Sequence, residues 1–126
     1  MEHYVTTVRL LVRENRKPLA NVKVELFDRD EYSADDALGA GRTNQFGEIT
    51  FKYTTKDFTD TLLRTDDKLG VGGNADTVPD LYAVVYNSQN EVVVNCREYA
   101  TENNAVLNML VLVDESIVNQ HQLGMS

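Results

Sequence analysis

The strongest constraint on this chain is an apolar repeat of two. In the stretch VKVELFDRDEYSADDALGAGRTNQFGEITF, residues 22–51, Val22, Val24 and Leu26 alternate with Lys23, Glu25 and Phe27. Beyond an acidic loop and a turn, Ile49, Phe51 and Tyr53 alternate with Glu48, Thr50 and Lys52. Successive side chains of a strand point to opposite faces, so this pattern predicts half-buried strands and not helices. Val8, Leu10 and Val12 repeat it against Thr7, Arg9, Leu11 and Arg13, as do Leu81, Ala83 and Val85 against Tyr82, Val84 and Tyr86.

The punctuation agrees with the periodicity. ENRKP (Glu14–Pro18), Asn44-Gln45-Phe46-Gly47 and Asn87-Ser88-Gln89-Asn90 are turn sequences placed between apolar runs. Ala37–Thr43 is a weaker strand because Gly39 and Gly41 interrupt it, and glycine inside a strand marks a bulge or a close backbone approach. Val92–Asn95 completes a hairpin with the strand that Pro79 opens. Ala105–Val113 is nearly continuous apolar, which predicts a strand buried on both faces or a final central strand. Between these, Thr54–Val78 reads as a long irregular connection with one helical turn near Asp60–Arg64, and Arg97–Asn104 as polar loop. Seven strand candidates with short turns predict an all-β fold, a seven- or eight-stranded antiparallel β-sandwich. Residues 1–113 form that single domain, and the polar segment 114–126 is set apart as a C-terminal tail, disordered or docked on a partner.

Charge narrows the partners. Twenty aspartates and glutamates face twelve lysines and arginines among 126 residues, a net charge of −8. A surface of that sign repels phosphate backbones, so neither nucleic acid nor an anionic membrane is the expected partner. No apolar run approaches the roughly 20 residues that a spanning helix needs, so no membrane insertion is expected. The start MEHYVTTVRLLVRE lacks the basic, then apolar, then small-residue order of a secretory leader. The expectation is a cytoplasmic protein, or one exported without such a leader, or a trimmed one. Cys96 is the single cysteine, which suits a reducing compartment.

PLANVKVELFDRD followed by DDALGAGRTNQFGEITFKY resembles the transthyretin-like (prealbumin-like) sandwich group, which includes carboxypeptidase regulatory-like domains. The residues that carry the likeness are Pro18, Val22, Val24, Leu26, Asp35, Asp36, Leu38, Gly39, Thr43, Gly47, Ile49 and Phe51, and PDLYAVVY (Pro79–Tyr86) resembles a later strand. The resemblance spans residues 5–113 and implies the sandwich fold. Nematode members of this pattern are secreted with paired cysteines, whereas Cys96 is alone. Relatives that hydrolyse 5-hydroxyisourate use several histidines, an arginine and a C-terminal Tyr-Arg-Gly-Ser. Here the histidines are His3 and His121 and the chain ends Leu-Gly-Met-Ser, so that activity is not expected.

Among candidate sites the acidic loop stands first. Asp28, Asp30, Glu31, Asp35 and Asp36 crowd into nine residues. Hard oxygen donors at that density are what Ca²⁺ requires, and Asp28, Asp30, Asp35 and Asp36 are the candidate ligands. FDRDEYSADDALG also resembles the calcium loop of synaptotagmin-type sandwich domains. The competing reading is structural, with the aspartates capping turns through backbone amides and Arg29 and Arg42 balancing their charge. The glycines of LGVGGN (Leu69–Asn74) lack the following helix and lysine of a phosphate loop. Cys96 beside Arg97, and Tyr82, Tyr86 and Tyr99, read first as packing residues and second as a reactive thiol and a binding surface.

These observations lead to a non-catalytic sandwich that binds another protein through an exposed sheet edge or its acidic loops, with self-association through such an edge as a further expectation. The alternatives are a Ca²⁺-binding module using the Asp28–Asp36 loop and a small hydrolase whose long Thr54–Val78 connection covers a pocket. No cofactor beyond Ca²⁺ is expected.

Overall fold

The computed structural model describes residues 3–30, 34–54, 79–102 and 106–124. Within them lie strands β1 (His3–Val12), β2 (Lys23–Asp28), β3 (Asp36–Arg42), β4 (Glu48–Thr54), β5 (Asp80–Tyr86), β6 (Val92–Asn95), β7 (Thr101–Glu102) and β8 (Val106–Val113). A 3₁₀ turn at Arg97–Tyr99 and one short helix, α1 (Glu115–His121), complete the description. Thr54 ends β4; the helical turn expected near Asp60–Arg64 and the rest of the Thr54–Val78 connection lie outside the described residues, as do Glu31 and LGVGGN.

Two sheets face one another. The smaller has the order β4-β1-β8 and the larger β3-β2-β5-β6, with β7 paired to β5 beyond the end of β6. The period-two pattern sets which side chains meet between them. Val8, Leu10 and Val12 of β1, Val24 and Leu26 of β2, and Leu81, Ala83 and Val85 of β5 all enter one buried cluster. Each fully buried side chain of this kind contributes about 1.5–3 kcal/mol, so this row is the main driving force for stacking the sheets. Tyr4 and Tyr53, directly opposite on β1 and β4, stack with ring centroids 5.6 Å apart. Thr6 is wholly buried beneath them and its hydroxyl bonds to that of Tyr53 at 2.9 Å.

The Asn44–Gly47 turn shows why its last residue is glycine. Gly47 has φ +76° and its amide donates to the Asn44 carbonyl at 2.9 Å. Its own carbonyl accepts from Leu10 at 2.7 Å, and a Cβ there would stand 2.5 Å from the Leu10 oxygen. Both the left-handed backbone and the close approach require a residue without a side chain.

The sandwich departs from simple expectation in three places. First, among the described residues the strand pairs are antiparallel except one: β1 and β8 run parallel in register from Val5–Val106 to Val12–Val113. A parallel pair needs a long crossover, which the whole excursion through the larger sheet supplies. Second, β8 is an edge strand and not a central one. Val111 and Val113 are buried, but Leu110 is 57% exposed and Asn108 faces solvent. A continuous apolar run does not distinguish burial on two faces from burial on one, and here the outer side of β8 has no neighbouring strand among the described residues. Third, residues 114–124 are part of the domain and not a loose tail. Val118 of α1 and Leu123 beyond it join the central cluster, Arg13 Nε donates to Asp114 at 2.6 Å, and the Glu14 carboxylate accepts the Glu115 amide at 2.9 Å.

Candidate functional site

The acidic loop sits where β2 ends and β3 begins, at one end of the larger sheet. The β2–β5 register sets Asp28 beside Leu81 and Phe27 beside Tyr82. That pairing brings Asp80, Tyr82 and, after β6, Arg97 to the same end as the aspartates. Arg29 joins them by donating to Asp80 Oδ2 through Nε at 3.1 Å and through its terminal nitrogen at 2.9 Å. Its other terminal nitrogen reaches the Arg97 carbonyl at 3.3 Å.

Asp35 is the centre of this cluster. Arg97 donates to it twice, from Nε to Oδ2 at 2.7 Å and from its terminal nitrogen to Oδ1 at 3.1 Å. The Tyr82 hydroxyl donates to Oδ2 as well, and the Asp30 amide to Oδ1 at 3.0 Å. The Arg97 guanidinium holds the Asp35 carboxyl well below the usual carboxylate range, against the opposing effect of burial. Burial, followed by the bond to Asp35, pushes the Tyr82 hydroxyl up to about 12. A forked arginine–carboxylate contact of this geometry fixes direction as well as distance.

Asp28 is in a different state. It is 7% exposed at the end of β2, and one oxygen accepts the Asp80 amide at 2.8 Å. Burial raises its pKa to about 7; the Asp80 amide works against that rise and the charges of Asp36, Asp30 and Asp80 add to it. Asp36 is raised too, by burial first and then by Asp30 and Asp35. The cluster therefore holds one firmly ionised carboxylate and one poised to take a proton near neutrality.

Of the four candidate calcium ligands, Asp35 is committed to Arg97 and Tyr82, and one Asp28 oxygen to a backbone amide. The charges of Asp30 and Asp36 act on Asp28, and the Asp30 backbone amide bonds to Asp35. Among the described residues no group of three or more His, Cys, Asp and Glu side chains is arranged to hold a metal ion. Sequence reasoning passed over Arg97 as the counter-ion, because 62 residues separate it from Asp35 and only the sheet register joins them. The tyrosines divide. Tyr82, 5% exposed, stacks on Phe27 with centroids 5.3 Å apart, outside the central cluster. Tyr86 donates to Glu25 at 2.6 Å, and Tyr99 is 78% exposed. Cys96 is half-buried and burial pushes its thiol up, away from the ionised form that reacts.

Two stacked sheets with a polar loop cluster at one end define a small β-sandwich domain. The profile of the Transthyretin-like family matches residues 15–103, and the chain belongs to that family. No curated protein matches the sequence. Among solved structures it is similar to a 9R-lipoxygenase from Cyanothece PCC8801, 24% identical, with a TM-score of 0.53 over 89% of this chain and 16% of the other. It is also similar to an (S)-allantoin synthase, 12% identical, with a TM-score of 0.50 over 90% of this chain and 41% of the other. The chain thus spans a minor part of either protein, and at these identities the likeness is one of fold.

Proposed function

We propose that this transthyretin-like domain is a non-catalytic protein-binding module that takes an extended strand of its partner along the free edge of β8. The observation that carries this reading is the chemistry of β8. VLNMLVLV has neither charge nor proline, and Leu110 is 57% exposed on a strand whose outer side is unpaired among the described residues. Edge strands are ordinarily protected by charge, proline or cover, and an unprotected one templates strand addition. The opposite side of the sandwich contrasts with it: β3 packs on β4, with Gly39 against Phe51 and Gly41 against Ile49, and β4 carries Glu48 and Lys52. At the loop end, the acid–base groups brought together are engaged with one another, which supports a structural use for them.

Size-exclusion chromatography with light scattering over a range of concentrations, for the wild type and Leu110→Lys, tests self-association. Affinity capture with both proteins tests a different partner. The proposal expects an assembly or a captured protein that Leu110→Lys loses while its melting temperature holds. A monomer at every concentration, together with captures unchanged by Leu110→Lys, overturns it.

A further inference from the structure

We infer that the opposite end of the larger sheet carries a site for a phosphate-sized oxyanion, held by Lys23 and Arg42. These two residues are direct cross-strand partners on β2 and β3, so their side chains share one face. Like charges in that position repel and destabilise a sheet. In a chain of net charge −8 with twenty acidic residues, a carboxylate between them would be the ordinary remedy. The described residues supply none: neither Lys23 nor Arg42 belongs to an ion pair. Lys23 Nζ bonds to the neutral Asn90 Oδ1 at 3.1 Å and lies 4.8 Å from the centre of the Tyr86 ring. Arg42 donates to the Asn21 carbonyl at 3.1 Å, which aims its guanidinium without neutralising it. Glu25, two residues along β2 on the same face, accepts the Tyr86 hydroxyl.

Both cations line a cavity of about 50 Å³, shared with Asn21, Ser88 and Gln122. At 10–15 Å³ per water by this measure, that is room for roughly three to five waters, the bulk of one tetrahedral oxyanion. The walls are built with backbone that costs energy to hold. Asn21 at φ +58° and Gln122 at φ +52° are both left-handed without being glycine. Gln122 earns part of that conformation by ending α1, where its amide bonds to the Val118 carbonyl; the Asn21 amide bonds to the Thr43 carbonyl at 2.9 Å, which ties the wall to the start of the Asn44 turn. An oxyanion between Lys23 and Arg42 converts their repulsion into two charge-assisted contacts, with Ser88 and Gln122 also lining the cavity.

The test is a heteronuclear NMR titration of the full chain at low ionic strength with inorganic phosphate, against chloride at matched ionic strength. Shifts are expected to gather at Asn21, Lys23, Arg42, Ser88 and Gln122. Lys23→Gln and Arg42→Gln should each weaken phosphate about tenfold, the loss of one charge-assisted contact. Phosphate should raise the melting temperature of the wild type and not of the double variant. Glycerol 3-phosphate in place of inorganic phosphate distinguishes the source: equal affinity indicates a site for the free anion, and tighter binding indicates a phosphate monoester. Absence of localised shifts, or shifts that persist in a folded double variant, overturns the inference.

Discussion

Asp35 and Arg97 meet in a forked contact, 2.7 Å from Nε to Oδ2, that pins the start of β3 to the turn following β6. The same guanidinium also reaches the Asp30 carbonyl at 3.4 Å, so a single side chain spans both ends of the acidic loop. Arg97→Gln should therefore lower the melting temperature at pH 7. Because the ionised form of Asp35 is favoured in the fold, its contribution is complete above the unfolded carboxylate pKa of about 4 and is lost as pH falls below it. The gap between wild type and variant should narrow in acid, and also in high salt, since Arg97 is exposed. A calcium titration gives a second readout. With the guanidinium gone from Asp35, Arg97→Gln should be stabilised by millimolar Ca²⁺ more than the wild type; equal responses would show that Arg97 does not control access to that carboxylate.

Asp28 gives the opposite pH dependence. Its pKa is raised in the fold to about 7, so the folded chain holds a proton that the unfolded chain has released. Stability is then greatest below the unfolded value of about 4 and declines as pH rises toward 7. Asp28→Asn keeps an oxygen for the Asp80 amide and removes the buried charge. Its gain should be roughly 1–3 kcal/mol at pH 8 and should vanish near pH 4. Chemical denaturation at the two pH values measures it, and a variant less stable than wild type at pH 8 would contradict this account.

How much of this was legible beforehand depends on the distance between partners. The strands at Val22–Leu26, Ile49–Tyr53 and Leu81–Val85 announce themselves because alternation is a local property, read within one window. The roles of Asp35 and Arg97 are not local, for their meeting depends on the β2–β5 register. The resemblance carried by Pro18, Gly39, Thr43 and Gly47 was legible for the same reason as the strands, since these residues serve turns and close approaches within one stretch. β8 misled because its composition records how apolar the strand is, whereas its place at the edge is set by topology. Segment 114–124 misled in the other direction: only Val118 and Leu123 of a polar stretch enter the core, too few to make a periodic signal.

The glycines of β3 predict an order of effects. A methyl at Gly39 would stand 2.8 Å from Phe51 Cδ1, and one at Gly41 2.7 Å from Ile49 Cδ1. The distances are alike but the neighbours are not. Phe51 is a rigid ring, 6% exposed and packed in the central cluster, while Ile49 presents the end of a half-buried, rotatable chain. Gly39→Ala should cost about 1–3 kcal/mol, the range for overpacking, and Gly41→Ala less. Equilibrium unfolding of the two variants checks the ranking; a reversal would mean that the ring, and not the isoleucine tip, is what yields.

The C-terminal segment supplies the last test, because it decides whether α1 stabilises the fold or merely rests on it. Seven residues are too few for a helix to persist alone, so α1 must derive its stability from docking. The docking includes Val118 at 5% and Leu123 at 4% exposure, Ile117 packed against the same cluster, the Glu14 carboxylate on the Glu115 amide, the Asn87–His121 contact, and the exposed Arg13–Asp114 pair. Exposed pairs contribute little, about 0–1 kcal/mol, so the two buried side chains should dominate. Leu123→Ala is expected to cost about 2–5 kcal/mol and Val118→Ala somewhat less, whereas Arg13→Ala should stay within about 1 kcal/mol. If Leu123→Ala unfolds at the same denaturant concentration as the wild type, the segment is an appendage; if it unfolds earlier with the same steepness, α1 is part of the cooperative unit.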